Sequence, residues 1–512
     1  MSLAIDPASL PEDPKLLRDL LLKLLAELQA RDEKIEKLTL WNQELRQRQF
    51  GRKTEATTEE NQKLLSFLIQ GVAALKPEIA PPPAPAPSPK PPTRHEHGRA
   101  RLPEALPRVD VVHDVPKEEQ ICGDCGKPLV VIGQAVSEQV EYQPACLHVK
   151  RDVRLKYACG EAKCRGTVKL AELPPKPVPK GKAAEGMMAF VMTNKYAHHL
   201  PWYRQEEILA NLGLPVTRST MWNWTLGGTT ALEPLYEAMK KAVQSSPIVE
   251  TDETPVRLWD PEHQVMRQGW QWVYINQDHT VFEFTPDRKA KHPKAFLKDT
   301  KGYLVSDAYS GYRSIAEESK GLINVFCWAH VRRMFWKAKE TDAQRSAVGM
   351  AYIQALYRVE SEARGQKPEK VKELRQRDAK PLLAKFHGWL AEQGLMVRPK
   401  SPIGKAIGYA LNQWPELQRY LEDGRLRIDN NRSEQQLRPI AIGRKNWLRH
   451  EAESGGKVAA ILSSLIASCR RHGKNPFDYL KDVLSRIATH PAKDILDLSP
   501  VRWKPPPKPN SS

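Results

Sequence analysis

Nine of the sixteen residues from Pro77 to Pro92 are proline. Each proline fixes φ and removes a backbone N–H donor, so such a run forms neither a regular helix nor a central strand and stays extended. The run reads as a semi-rigid spacer. Residues 77–101, the prolines and the basic, turn-rich stretch after them, are predicted to be a linker between an N-terminal region, residues 1–76, and everything that follows. The 512 residues provide for roughly three or four domains of about 150 each. With 79 Lys+Arg against 61 Asp+Glu the formal charge is +18, which favours a polyanionic partner and makes nucleic acid the first candidate. The longest mainly apolar runs, Leu64 to Leu75 and Val458 to Ser468, are shorter than the ~18 residues of a membrane span. A soluble protein with no membrane partner is expected. Met1 to Asp6 lacks the basic and apolar regions of a signal peptide, so a cytoplasmic location is expected, where cysteines bind metal more readily than they crosslink.

Upstream of the prolines, Leu17, Leu24, Leu38 and Leu45 fall on one heptad position and Leu21, Leu28 and Ile35 on the other. That pattern predicts a coiled coil over residues 14–50 and hence a homo-oligomer, most simply a dimer. Arg31 and Asn42 interrupt the seam, as polar residues that set register do. The alternative is one amphipathic helix packed on its own core.

Downstream, Cys122 and Cys125 form a C-x2-C knuckle, a spacing that lets two thiolates reach one tetrahedral zinc ion. Cys159 and Cys164 supply a second, wider-spaced pair. Between the pairs, Val149, Val153, Leu155 and Tyr157 alternate with charged residues, which predicts a half-exposed strand and a hairpin bridging the two pairs. Residues 102–172 are therefore read as a β module holding structural zinc, with Cys146 more suited to burial. Metal-free reduced thiols are the competing reading. In residues 173–245, helix-like Tyr203 to Leu212, a break at Gly213 and the capping residues Thr217 to Thr220 before Trp222 and Trp224 outline a helix-turn-helix, with Arg218 facing DNA. Any helical hairpin shares this outline.

From Ile248 the pattern turns to strands: Ile248 to Asp252, Trp270 to Ile275, and Thr280 to Phe284. A helix near Pro293 to Lys298 follows, then a strand Gly302 to Asp307, a strand Ile323 to Cys327 and a basic helix Trp328 to Lys339. This order is that of an α/β ribonuclease-H-like core, in which Asp252 and Asp307 would sit side by side. Two adjacent carboxylates repel unless cations neutralise them, and hard oxygen ligands suit Mg²⁺ or Mn²⁺. Glu434, at the start of a predicted helix, would complete a site for two ions. Glu253 and Asp429 are the nearest competitors, and a solvated surface charge is the default for any one acid. Residues 340–422 read as a helical insertion between the two parts of the core, 246–339 and 423–490, and 491–512 as a flexible tail. From Arg425 to His450 there are seven Lys/Arg against two acids. Arg432, Arg438, Arg444, Lys445 and Trp447 in this stretch suit phosphate contact and base stacking; a solvated basic face with a core tryptophan is the plainer option.

Several stretches, taken in order, resemble one family. They include Phe50-Gly51-Arg52-Lys53, Leu106-Pro107-Arg108, His199-Leu200-Pro201-Trp202-Tyr203-Arg204-Gln205 and Asp252-Glu253-Thr254-Pro255-Val256. Ser306-Asp307-Ala308-Tyr309-Ser310-Gly311-Tyr312, Cys327-Trp328-Ala329-His330-Val331-Arg332-Arg333, Asn430-Asn431-Arg432-Ser433-Glu434 and Gly443-Arg444-Lys445-Asn446-Trp447 continue the series. The chain resembles the insertion-sequence-66 (IS66) family of DDE transposases. The resemblance implies cleavage at element ends and joining of the freed 3′-hydroxyl to target DNA, with Asp252, Asp307 and Glu434 as the triad. It also implies that His330 and Arg333 contact DNA or support the acids, and that accessory proteins are encoded by the same element. The C-x4-C spacing of Cys159 and Cys164 departs from the family's usual second pair. So does Gln435-Gln436, where arginine is common. Two rival readings share parts of this pattern: a zinc-containing helix-turn-helix regulator without catalysis, and a ribonuclease-H-like nuclease without strand transfer.

Overall fold

The computed structural model describes residues 181–319 and 321–505, with the short stretches 147–152, 156–157, 169–170 and 175–178 and the helical positions Arg18 and Leu22. Apart from Arg18 and Leu22, the heptad segment lies outside the described residues, as do the proline run and Cys122, Cys125, Cys159 and Cys164. Residues 77–151 form a unit of their own, of which 147–151 are described as exposed chain without regular structure. Of the strand expected over 149–157, only Lys156–Tyr157 (β1) is strand among the described residues. It pairs antiparallel with Lys169–Leu170 (β2). The ladder brackets the segment that carries Cys159 and Cys164.

Three helices come next: Glu185–Tyr196 (α1), Trp202–Asn211 (α2) and Arg218–Gln244 (α3). Gly213, at φ +83°, makes the turn after α2, a conformation that glycine adopts without steric cost. Thr217 caps α3 by accepting the Thr220 N–H. The helix-turn-helix outline is thus present, but it is not a separate module. α3 runs for 27 residues, and its second half, through Leu232, Leu235, Met239 and Val243, shares one core with Val249, Trp272 and Tyr274 of the sheet. The boundary expected at 245 is an uninterrupted hydrophobic contact.

The sheet comprises Ile248–Asp260 (β3), Val265–Ile275 (β4), Thr280–Thr285 (β5), Gly302–Ser306 (β6) and Leu322–Phe326 (β7), in the order β5-β4-β3-β6-β7. β3, β4 and β5 are antiparallel neighbours; β6 and β7 join β3 in parallel. Lys291–Leu297 (α4), Ser310–Glu318 (α5) and Trp328–Ala338 (α6) make the connections. Five strands were expected and five are found, but β3 and β4 reach further than their apolar alternation suggested, as a long hairpin whose residues 261–268 are all exposed.

The helical insertion expected over 340–422 comprises Ala343–Glu362 (α7), Pro368–Leu374 (α8), Lys380–Met396 (α9), Pro402–Asn412 (α10) and Trp414–Gln418 (α11). It packs on α6 around Trp328, Phe335, Phe386 and Trp414. The chain leaves and returns at one point, where the Trp328 N–H donates to the Ile428 carbonyl at 3.1 Å and the Asn430 N–H to Cys327 Sγ at 3.3 Å. Asn431–Trp447 (α12) then crosses the sheet face opposite α3, with Leu437 and Ile440 against Val256, Val273 and Ile275. Glu453–Arg471 (α13) seals the edge of β5: Ser468 and Ser464, one turn apart, accept the Thr280 and Phe282 N–H groups at 2.9 and 2.8 Å. Those donors would otherwise be an open strand edge.

The flexible tail expected from 491 is corrected. After Pro476–Arg486 (α14), Leu498 and Trp503 are buried in the main core, and Trp503 Nε1 donates to Asp482 at 2.7 Å. The run of prolines that suggested disorder begins only at Pro505.

Candidate active site and nucleic-acid interface

The parallel ladder between β3 and β6 sets Glu250 opposite Val305. Asp252 lies two residues beyond that pair on β3, and Asp307 lies two residues beyond it and one past the end of β6, close enough for its charge to act on Asp252. On its other side Asp252 is opposite Val273, which packs against Leu437 and Ile440 of α12. Asp252 therefore faces the helix whose first turn carries Glu434. Asp252 accepts the Glu253 N–H at 2.8 Å and Asp307 the Tyr309 N–H at 3.1 Å. Burial, then the charges of Glu253, Asp307 and Glu434, push the Asp252 carboxyl up to about 8. Its charged form lacks compensation, the condition that favours a cation.

Two side chains from α6 reach Glu434: the Arg333 guanidinium, Nη2 at 3.4 Å, and the His330 imidazole, Nε2 at 3.6 Å. Burial and the Arg333 guanidinium hold His330 below its ordinary range. The two competing acids are engaged elsewhere. Glu253 accepts from Arg288 and from Tyr312, and Asp429 accepts from Tyr357 at 2.8 Å and from Asn431. Among the described residues, the one trio of possible ligands within 4.8 Å of one another is Asp260, Glu262 and His263. Arg267 and His263 already occupy Asp260 there.

The basic residues separate into two groups. Arg438 and Lys445 lie exposed on α12, with the exposed Ile442 between them. Arg218 is exposed at the start of α3 and pairs with Glu206 at 2.8 Å. Arg432 turns inward to the buried Glu250 at 2.7 Å, which removes it from the DNA-facing set. Arg444 donates to Thr254 at 3.2 Å and to the Pro255 carbonyl. Trp447 lies half-buried beside Lys195, whose Nζ is 4.9 Å from its ring and 4.5 Å from that of Trp202. Tyr196 and His199 complete the surround at 6.1 and 5.8 Å. Lys195, Arg288 and His450 had no sequence signal; only tertiary contact singles them out.

The family described as Transposase IS66 family matches residues 180–458. The chain belongs to the IS66 transposase family. The IS66 C-terminal element matches residues 464–501, which agrees with the packed tail, and the zinc-finger binding domain of transposase IS66 matches residues 119–161. That last stretch contains Cys122, Cys125 and Cys159 and stops short of Cys164. A fourth match, the Transposase C of IS166 homeodomain, covers residues 37–111. Among curated relatives, the uncharacterized protein y4jD of Sinorhizobium fredii is 31% identical over 420 residues, 79% of this chain and 81% of the relative. Uncharacterized protein y4qI of the same organism is 30% identical over 507 residues, 94% of this chain and 92% of the relative. The chain is thus an IS66 insertion-sequence transposase, a DNA-cleaving protein with a zinc-finger domain and a catalytic region of mixed sheet and helices. Among the described residues no helix is long and apolar enough to cross a membrane.

Proposed function

We propose that Asp252, Asp307 and Glu434 are the catalytic acids of a ribonuclease-H-like core that holds two Mg²⁺ or Mn²⁺ ions and performs both DNA cleavage and strand transfer. What supports this reading is that β3 and β6 are parallel neighbours carrying Asp252 and Asp307 just beyond their paired stretch, with Asp252 on the sheet face crossed by the Glu434 helix. Ions bound there supply Lewis-acid activation of the attacking oxygen and neutralise the leaving one. The chain's own residues do the rest. Burial and like charge push the Asp252 carboxyl up to about 8, so Asp252 would hold a bound cation as its carboxylate, whose charge the cation would compensate. His330 and Arg333 fix Glu434 from the α6 side, within reach of a phosphate brought to the acids. Exposed Arg438 and Lys445 continue along α12 from Glu434, a path of about 16 Å at 1.5 Å per residue. They would hold backbone phosphates flanking the scissile bond.

The remaining parts follow the same reading. Arg218 would meet element-end DNA at the N-terminus of α3. Cys122, Cys125, Cys159 and Cys164 would ligate the structural zinc, and residues 14–50 would pair two protomers so that both element ends are held together. Proteins encoded by the same element would act as accessories. The decisive experiment compares wild type with Asp252→Ala on element-end DNA. Binding should persist while metal-dependent cleavage is lost, and pre-cut ends should be joined to target only by the wild type. Retained cleavage overturns the triad; cleavage without joining reduces the function to that of a nuclease.

A further inference from the structure

We propose that Glu253, next to the catalytic Asp252, is a positioning residue that braces the Asp307 loop against β3 and is not itself a metal ligand. This inference rests on the triad reading above for its consequence, but its geometry stands apart. Strand alternation separates the two neighbours. Asp252 lies opposite Val273 on the α12 face, whereas Glu253 lies opposite Trp272, which packs in the core beneath α5 with Tyr312. The Glu253 side chain is 1% exposed. One carboxylate oxygen accepts from Arg288 Nε and Nη2 at 2.9 and 2.5 Å, and the other accepts the Tyr312 O–H at 2.6 Å. Three donors, one of them a charged guanidinium, leave this carboxylate engaged on both oxygens.

Those donors lead to the second aspartate. The Arg288 guanidinium lies between the rings of Trp270 and Tyr309, at 4.8 and 4.2 Å. Tyr309 donates its O–H to the Arg288 carbonyl at 2.8 Å, and its N–H is held by Asp307 at 3.1 Å. Tyr312, on the first turns of α5, also lies 3.3 Å from the Thr251 hydroxyl. From Glu253 there are thus two routes, through Arg288 and Tyr309 and through Tyr312, to the loop that presents Asp307. Both fix where that loop stands relative to β3, and so the separation of the two aspartates. The motifs Asp252-Glu253-Thr254 and Asp307-Ala308-Tyr309-Ser310-Gly311-Tyr312 thereby acquire a shared reason for their second acid and their two tyrosines.

The test uses the full chain as Tyr312→Phe, which keeps the ring and removes one donor, and as Glu253→Gln, with Asp252→Asn as control. Mn²⁺ binding is read from the spin-resonance signal of the free ion, and amide hydrogen exchange of residues 307–312 is read without metal. Tyr312→Phe should weaken Mn²⁺ binding about three- to tenfold, the worth of one hydrogen bond, without changing the number of ions bound. Glu253→Gln should do likewise, and both should speed exchange in the loop. Loss of one bound ion in Glu253→Gln, with Tyr312→Phe at wild-type affinity, would make Glu253 a ligand and overturn the proposal. Mn²⁺ binding that Asp252→Asn leaves untouched would instead count against the triad. The brace is then decided by exchange alone: faster exchange in the variants upholds it, and unchanged exchange removes it.

Discussion

The two ends of α12 bury opposite charges and treat them differently. At its N-terminal end, Asp252 sits among Glu253, Asp307 and Glu434 and is raised to about 8. At its C-terminal end, burial lowers Lys195 to about 8, and burial and Lys195 lower His450 to about 4. The basic end is finished without a counter-ion: the rings of Trp202 and Trp447 flank the Lys195 ammonium, and His450 is closed by backbone pairing with Arg257 and Trp259. The acid end has no such closure. Asp252 stands near the like charges of Asp307 and Glu434, and the Arg333 guanidinium lies 3.4 Å from Glu434. Burial of charge marks structure where aromatic faces or neutralisation absorb it, and marks a candidate ligand site where like charges are left together.

The sharpest break of this contrast is Asp252→Asn. Removing a metal-competent carboxylate should cost about a thousandfold or more in cleavage. It should also raise the melting temperature in metal-free buffer, because a disfavoured charge is gone. A variant that lowered it would place Asp252 with the structural acids. Next in size is Arg432→Ala. It leaves the buried Glu250 unpaired and should destabilise the fold by about 3–5 kcal/mol, measured by denaturant unfolding. An effect within experimental error would return Arg432 to the DNA-facing set.

The basic end is tested by pH. His450 is held at about 4 against an ordinary 6.5, so the unfolded chain binds the proton first as pH falls. The stability tied to its neutral form is complete above about 6.5 and is lost as pH drops towards 4, by up to about 3 kcal/mol. His450→Leu should flatten that part of the wild-type profile; an unaltered slope would mean that the ring is not closed off from protons. The smallest effect is expected at the exposed face. Lys445→Ala should reduce the salt dependence of DNA binding by about one unit of slope while leaving stability within about 0.5 kcal/mol. A loss of stability there would move Lys445 into the packed part of this end.

Much of the core was legible because its signals are local. Alternating Trp270, Trp272 and Tyr274 announced the inner half of β4, which begins five residues earlier at Val265, and the run Gly302 to Ser306 ending at Asp307 announced β6 within a residue. The gap to Glu434 was also readable, since the intervening residues carry helical periodicity. The roles of the arginines were not. Arg432 and Arg438 stand six residues apart on one basic stretch; one enters a buried ion pair and the other faces solvent, and that difference is set by which side of α12 meets the sheet. Nor could composition show that the proline-rich end beyond 491 begins with a buried Leu498 and Trp503.

By itself, then, the sequence determined the strand and helix order, the three acids and the family motifs, because periodicity and spacing are properties of neighbours along the chain. Tertiary structure decided which acid faces which. Asp252 and Glu253 are adjacent in sequence, yet the pleat sends one towards α12 and the other towards Tyr312 and Arg288. The parallel register of β3 and β6, which sets residues 55 positions apart level with each other (Ile248 and Tyr303), brings Asp252 and Asp307 to neighbouring positions on adjacent strands.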